Sequence, residues 1–126
     1  MNCLFCKIIK KEIAANILYE DDLVMCIMDA YPEVDGHSLV IPKSHYEDIY
    51  ALPDDTLLHI NNVAKKINTK ILAKLNFTSS TLSINYGYEE TIKHFHLHIL
   101  PNFHKKNTRN VEEIFNILNE GSDNSD

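Results

Sequence analysis

The stretch Lys93-His94-Phe95-His96-Leu97-His98-Ile99-Leu100-Pro101 constrains the fold of this chain more than any other. Imidazoles alternate strictly with apolar side chains until a proline closes the run. A period of two is the signature of a half-buried β-strand. Residues i, i+2 and i+4 of a strand share a face, so His94, His96 and His98 point one way. Phe95, Leu97 and Ile99 point the other way, into a core. Three readings of the histidine face are open. It is a solvated polar face; or it holds one metal; or it is a row of imidazoles acting as nucleophile and proton donors near neutral pH. A single ion on all three rings is strained, because i and i+4 lie about 13 Å apart while Zn–N bonds are about 2.0–2.1 Å.

With 126 residues the chain is read as one domain over 1–120, with a polar, disordered tail from Gly121 to Asp126. Apolar content of 44% and charged content of 24% suit a soluble globule with one core. No apolar run reaches the roughly 18 residues that would span a membrane, and no apolar leader opens the chain, so a cytoplasmic setting is expected. The formal charge of −6 repels polyanions and argues against a general nucleic-acid binder. It does not forbid a small anion at a locally polarised site. Three cysteines in such a chain do not make a disulfide framework.

In chain order, Cys3-x-x-Cys6 is half of a zinc site, a redox pair or two unrelated thiols. The redox reading is the weakest, since that motif follows a strand in a βαβ pattern. Leu4 to Lys11 reads as a short helix. Ile17–Tyr19 and Leu23–Asp29 read as strands around Glu20-Asp21-Asp22. Cys26 reads as a small buried hydrophobe. Asp29 ends its strand, where a lone aspartate usually caps a turn. Asp35-Gly36 signals a turn, His37 reads as structural, and Ser38 to Ile41 is a third strand stopped by Pro42. Ser44 is placed to cap a short segment from His45 to Leu52. One long amphipathic helix runs from Asp54 or Asp55 to Leu75, with Asn76 as terminator. Thr81–Tyr86 is a fourth strand. A basic surface loop, His104 to Arg109, precedes a short helix over Val111–Asn119. The sum is an α+β fold: an antiparallel sheet of about five strands, one long helix and several short ones.

The triad stretch, together with Cys3-Leu4-Phe5-Cys6-Lys7-Ile8-Ile9, Tyr19-Glu20-Asp21-Asp22 and Gly36-His37-Ser38-Leu39-Val40-Ile41-Pro42-Lys43-Ser44-His45, resembles the histidine triad (HIT) family of nucleotidyl hydrolases and transferases, in its bacterial Hint-like branch. The likeness covers about residues 3–103. It implies a homodimer meeting through the long helix. It also implies attack on the α-phosphate of a purine nucleotide conjugate (a phosphoramidate, an adenylate or a dinucleoside polyphosphate) through a nucleotidyl-histidine. Carried over by position, His96 is the nucleophile. His98 sits beside the phosphate and orients the nucleophile through its backbone carbonyl, and His94 completes the triad. Asn85 and Thr91 hydrogen-bond the phosphate, Asp29 accepts the ribose hydroxyls, and Phe5, Ile8 and Ile27 wall the base pocket. Some bacterial members close a zinc tetrahedron with a histidine after the Ile-Pro-Lys turn and the first triad histidine. Those positions are His45 and His94, which with Cys3 and Cys6 imply a structural zinc and no organic cofactor. The phosphate loop departs from the family pattern: it is two residues short, with Glu89 for a glycine and Glu90 for a glutamine. The alternative reading is a zinc-stabilised nucleotide-binding module with little catalysis.

Overall fold

The computed structural model describes residues 2–87, 92–103 and 108–120. Eight elements follow in order: α1 (Leu4–Ile9), β1 (Ile17–Glu20), β2 (Val24–Met28), β3 (Ser38–Pro42), α2 (Asp54–Leu75), β4 (Ser80–Ile84), β5 (Leu97–Pro101) and α3 (Val111–Asn119). The strands form one antiparallel sheet in the order β1-β2-β3-β5-β4. The α+β class and the five-stranded antiparallel sheet are as the sequence predicts.

The sheet is covered on both faces. On one, Val24, Cys26, Val40, Leu97 and Ile99 pack beneath α2 and α3. Helix α2 presents Ile60, Val63, Ala64, Ile67, Ile71 and Leu75, the 3-4 spacing that puts one stripe on a core. Asn76 ends it in the left-handed region at φ 59°, its N–H bonded to the Leu72 carbonyl. On the other face Met25, Ile27, Leu39 and Ile41 pack with Cys3, Phe5 and Ile8 of the N-terminal arm. β2 and β3 are therefore buried throughout.

Two expectations are corrected. Ser44 caps no helix in the short segment from His45 to Leu52; Asp48 instead accepts from the Tyr50 and Ala51 N–H groups in a turn. The triad strand is also shorter than predicted, beginning at Leu97. β5 pairs with β3 through Leu97–Val40, His98–Leu39 and Ser38–Ile99. The ladder then approaches Pro42, which has no N–H for a further rung. There the chain leaves the sheet, and the Phe95 N–H bonds the Tyr46 carbonyl at 2.7 Å. The alternation survives all the same: Phe95, Leu97 and Ile99 are buried in the α2 core.

Gly36 shows why the turn before β3 needs glycine. Its φ is +87°, and a Cβ there would lie 3.0–3.1 Å from Leu75, Ile71 and Pro101 side-chain carbons. Cys26 is fully buried, and desolvation pushes its thiol up to about 12, as befits an inert packing residue.

The β1–β2 turn is tied to α2 by Asp21. One carboxylate oxygen accepts from the Leu23 and Val24 N–H groups, the other from Tyr19 Oη–H at 2.8 Å and His59 Nε2–H at 2.7 Å. Burial works against the charge, but these four bonds outweigh it and hold the carboxyl well below its usual range. Asp21→Ala is expected to lower stability by about 1–2 kcal/mol at pH 7, read from urea unfolding. The folded pKa lies below the unfolded value of about 3.9, so this contribution is present above that pH and fades as the pH falls beneath it. A gap between variant and wild type that stays constant from pH 7 to pH 3 would rule out the charge as its source.

Candidate active site

The N-terminal arm brings Cys3 and Cys6 against His45 and His94. The Cys3 thiol caps α1, and Phe5 and Ile8 anchor that helix to the sheet. His94 is buried, and its Nε2–H donates to the Pro42 carbonyl at 2.8 Å. That bond fixes the tautomer and leaves the Nδ1 lone pair toward the cluster. Nδ1 lies 3.5 Å from Cys3 Sγ, 3.6 Å from Cys6 Sγ and 3.1 Å from His45 Nδ1, and Cys6 Sγ lies 3.3 Å from His45 Nδ1. A tetrahedral zinc with ordinary bond lengths has S–N and N–N edges of about 3.6 and 3.3 Å. The four donors therefore fit zinc in both spacing and chemistry. Burial raises the Cys6 thiol above its ordinary pKa, with Cys3 adding to the effect, and a dication is the partner that favours the thiolate.

His96 follows, half-buried, its ring edge-on to Phe5 with centroids 5.2 Å apart. Its Nδ1–H donates to the His94 backbone carbonyl at 2.8 Å. The proton is thereby committed to Nδ1, and Nε2 is the nitrogen with the available pair. The orienting carbonyl is thus that of His94, not that of His98, which the resemblance implies. The turn out of the sheet before Leu97 is what aims this carbonyl at the ring.

His98 stands beside His96, ring centroids 4.9 Å apart. Its Nδ1 is 3.0 Å from His37 Nε2. His37 is buried, which lowers its pKa and keeps it neutral despite the nearby Asp29 and Glu33 charges. Its Nδ1 accepts the Glu33 N–H at 3.1 Å, so its proton sits on Nε2. His37 therefore donates to His98 Nδ1, and His98 carries its own proton on Nε2. Asp29 Oδ2 lies 3.4 Å from the same His37 nitrogen. Asp29, His37 and His98 also converge closely enough for an ion. The Glu33 N–H occupies the His37 lone pair, however, so this group arranges protons instead. Reading His37 from sequence as structural leaves its contact with His98 unforeseen. The signal lies in pairing: Leu39 opposes His98, and position 37 shares the face of position 39.

A cavity of about 830 Å³ opens beside these rings. Phe5, Ile8, Ile27, Asp29, His96 and His98 all line it, so the predicted base and ribose residues and two of the three triad histidines meet in one place. Its size and mostly apolar walls suit a nucleotide-sized ligand. Asp29 Oδ1 also accepts the Tyr31 N–H at 2.8 Å, the turn-capping role expected of a strand-end aspartate. A second cavity, of about 350 Å³, lies across His96 and is lined by Asn85 and by Glu47 and Asp48. His94 contributes to this second cavity but not to the first. Thr91, Glu89 and Glu90 fall at 88–91, outside the described residues, as do most of the basic loop at 104–107 and the tail at 121–126.

Residues 2–113 match the family model described as scavenger mRNA decapping enzyme C-term binding. An uncharacterised HIT-like protein of Methanocaldococcus jannaschii is 40% identical over 103 residues, covering 80% of this chain and 79% of that protein. The adenylylsulfatase HINT3 of Arabidopsis thaliana is 37% identical over 102 residues, covering 79% of this chain and 52% of that protein. Among solved structures, a zinc-bound histidine triad family protein from Mycobacterium smegmatis superposes with a TM-score of 0.83 at 29% identity, covering 94% of this chain and 91% of that one.

Proposed function

The chain belongs to the histidine triad family, and from that membership we propose that it is a nucleotidyl hydrolase or transferase acting at the α-phosphate of a purine nucleotide conjugate. The observation that carries the reading is the committed tautomer of His96. Its Nδ1–H is held by the His94 carbonyl, and the ring lines a nucleotide-sized cavity that Asp29 lines as well. In this reading the Nε2 pair attacks the α-phosphorus, and the leaving group departs with the electrons of its bond to phosphorus. The imidazole gains positive charge as it does so, and the His94 carbonyl stabilises it through Nδ1–H. His98, protonated on Nε2, donates to a phosphoryl oxygen or to the leaving atom. Asn85 and Thr91 serve the phosphate, and Asp29 the ribose hydroxyls. Water or another acceptor then displaces the imidazole from phosphorus.

Support comes also from relatives named for hydrolysis, the plant adenylylsulfatase and a HIT family hydrolase from Legionella pneumophila. Zinc on Cys3, Cys6, His45 and His94 has a structural part in this account: it pins the arm that carries Phe5 and Ile8 and holds no substrate. The homodimer and the cytoplasmic setting belong to the same reading.

The test is trapping of a base-stable, acid-labile adduct under an alkaline quench. Rapid quench of the protein with an α-phosphorus-labelled adenosine phosphoramidate should leave label on the protein, lost on incubation at low pH as a phosphorus–nitrogen bond hydrolyses. A protein that binds the nucleotide and never acquires label is a binding module, and the enzymatic reading fails.

A further inference from the structure

The larger cavity has a polar end that the proposed chemistry leaves unused. Away from His96, His98, Asp29 and the exposed Tyr31, its lining is apolar except for Asn16 and Glu112. These two side chains come from opposite ends of the chain and meet, Asn16 Nδ2 lying 3.5 Å from Glu112 Oε2. A contact that long leaves both groups able to exchange partners. An acid in the first turn of α3 suits the helix dipole, but Glu113 fills that role too and lines a separate groove with Asn116 and Glu120. The dipole does not account for Glu112 being the one placed at the cavity. The Asn16 carbonyl accepts the Met28 N–H at 2.9 Å, which sets residue 16 beside the strand end that carries Asp29.

Resting on the reading that this cavity holds a nucleotide, we propose that Glu112, with Asn16, reads the hydrogen-bonding edge of the base and selects guanine over adenine. Guanine offers two adjacent donors, N1–H and the N2 amino group, and a carboxylate has acceptors for both. The Asn16 amide then turns its N–H to guanine O6. Adenine offers one amino group beside the N1 lone pair, which would face carboxylate oxygens. The aliphatic walls do not make this distinction, because apolar pockets discriminate poorly between bases of one shape. Glu112 is exposed, so the preference is about tenfold rather than the larger factor a buried carboxylate gives.

Calorimetric titration with guanosine and adenosine monophosphates tests this on wild type, Glu112→Gln and Asn16→Ala. Wild type should bind the guanine nucleotide about tenfold more tightly, and Glu112→Gln should bring the two within about twofold, mainly by weakening guanine. Thermal melts establish that both variants fold. Binding of both nucleotides with a ratio that Glu112→Gln leaves unchanged overturns this proposal and leaves the nucleotidyl-transfer reading standing. Wild type that binds neither nucleotide overturns both.

Discussion

His96→Ala is expected to abolish turnover of an adenosine phosphoramidate while the protein stays folded. In the proposed reaction the ring supplies the electron pair that forms the bond to phosphorus, and among the described residues no neighbour is arranged to replace it. His94 Nδ1 faces two sulfurs and another imidazole, its Nε2–H is held by Pro42, and His98 Nδ1 is occupied by His37. Loss of a nucleophile costs at least about 10⁴-fold in kcat when no substitute stands ready. The ring is only partly buried and its main packing partner is Phe5, so truncation should cost about 1 kcal/mol of stability. Adenosine monophosphate should still bind, since the walls and Asp29 are untouched. Steady-state rates, a thermal melt and a binding titration together separate these effects. A variant turning over at the wild-type rate would remove the nucleophile assignment.

Cys6→Ser should remove zinc and weaken the half of the molecule that carries the base pocket. Wild type purified without chelator is expected to hold about one zinc per chain, and the variant essentially none, by elemental analysis. Four donors reach the tetrahedron, and a serine hydroxyl is a poor replacement for a thiolate. In a small metal domain metal binding is folding energy outright. Here the α2 core packs independently of the arm, so the expected loss is about 2–4 kcal/mol, roughly 5–15 °C in Tm. The loss should be local: amides of residues 4–10 should exchange faster with solvent, and those of α2 should not. Metal content unchanged by the substitution would sink the assignment of these ligands.

The elements were legible where one side chain period ran unbroken. α2 keeps its apolar stripe from Ile60 to Leu75, and α3 buries Ile114 and Leu118 at helical spacing, so both were placed closely from sequence. The triad strand was overextended because alternation reports which face a residue takes and says nothing of where its backbone bonds go. His94 and His96 keep the alternation while the ladder has already stopped near Pro42. The same limit hid His37 and the carbonyl that serves His96. Both depend on neighbours supplied by a turn and by strand pairing, which no local pattern encodes. The cluster of Cys3, Cys6, His45 and His94 came instead from matching motifs to positions, since residues 91 apart in sequence announce no contact by themselves.

His94 joins three functions in one residue. Nε2 ties it to Pro42, Nδ1 faces the thiols, and its carbonyl holds the proton of the next ring in the row. Mutagenesis at this position is therefore confounded at the side chain: losing the imidazole disturbs metal affinity and local backbone together, and a fallen rate has no unique cause. A backbone ester replacing the amide between His94 and Phe95 would weaken that carbonyl as an acceptor and spare the imidazole. It would put the orienting hydrogen bond on trial apart from the metal, with an ester between Tyr46 and Glu47 as the control for the Phe95 N–H to Tyr46 bond that is lost with it.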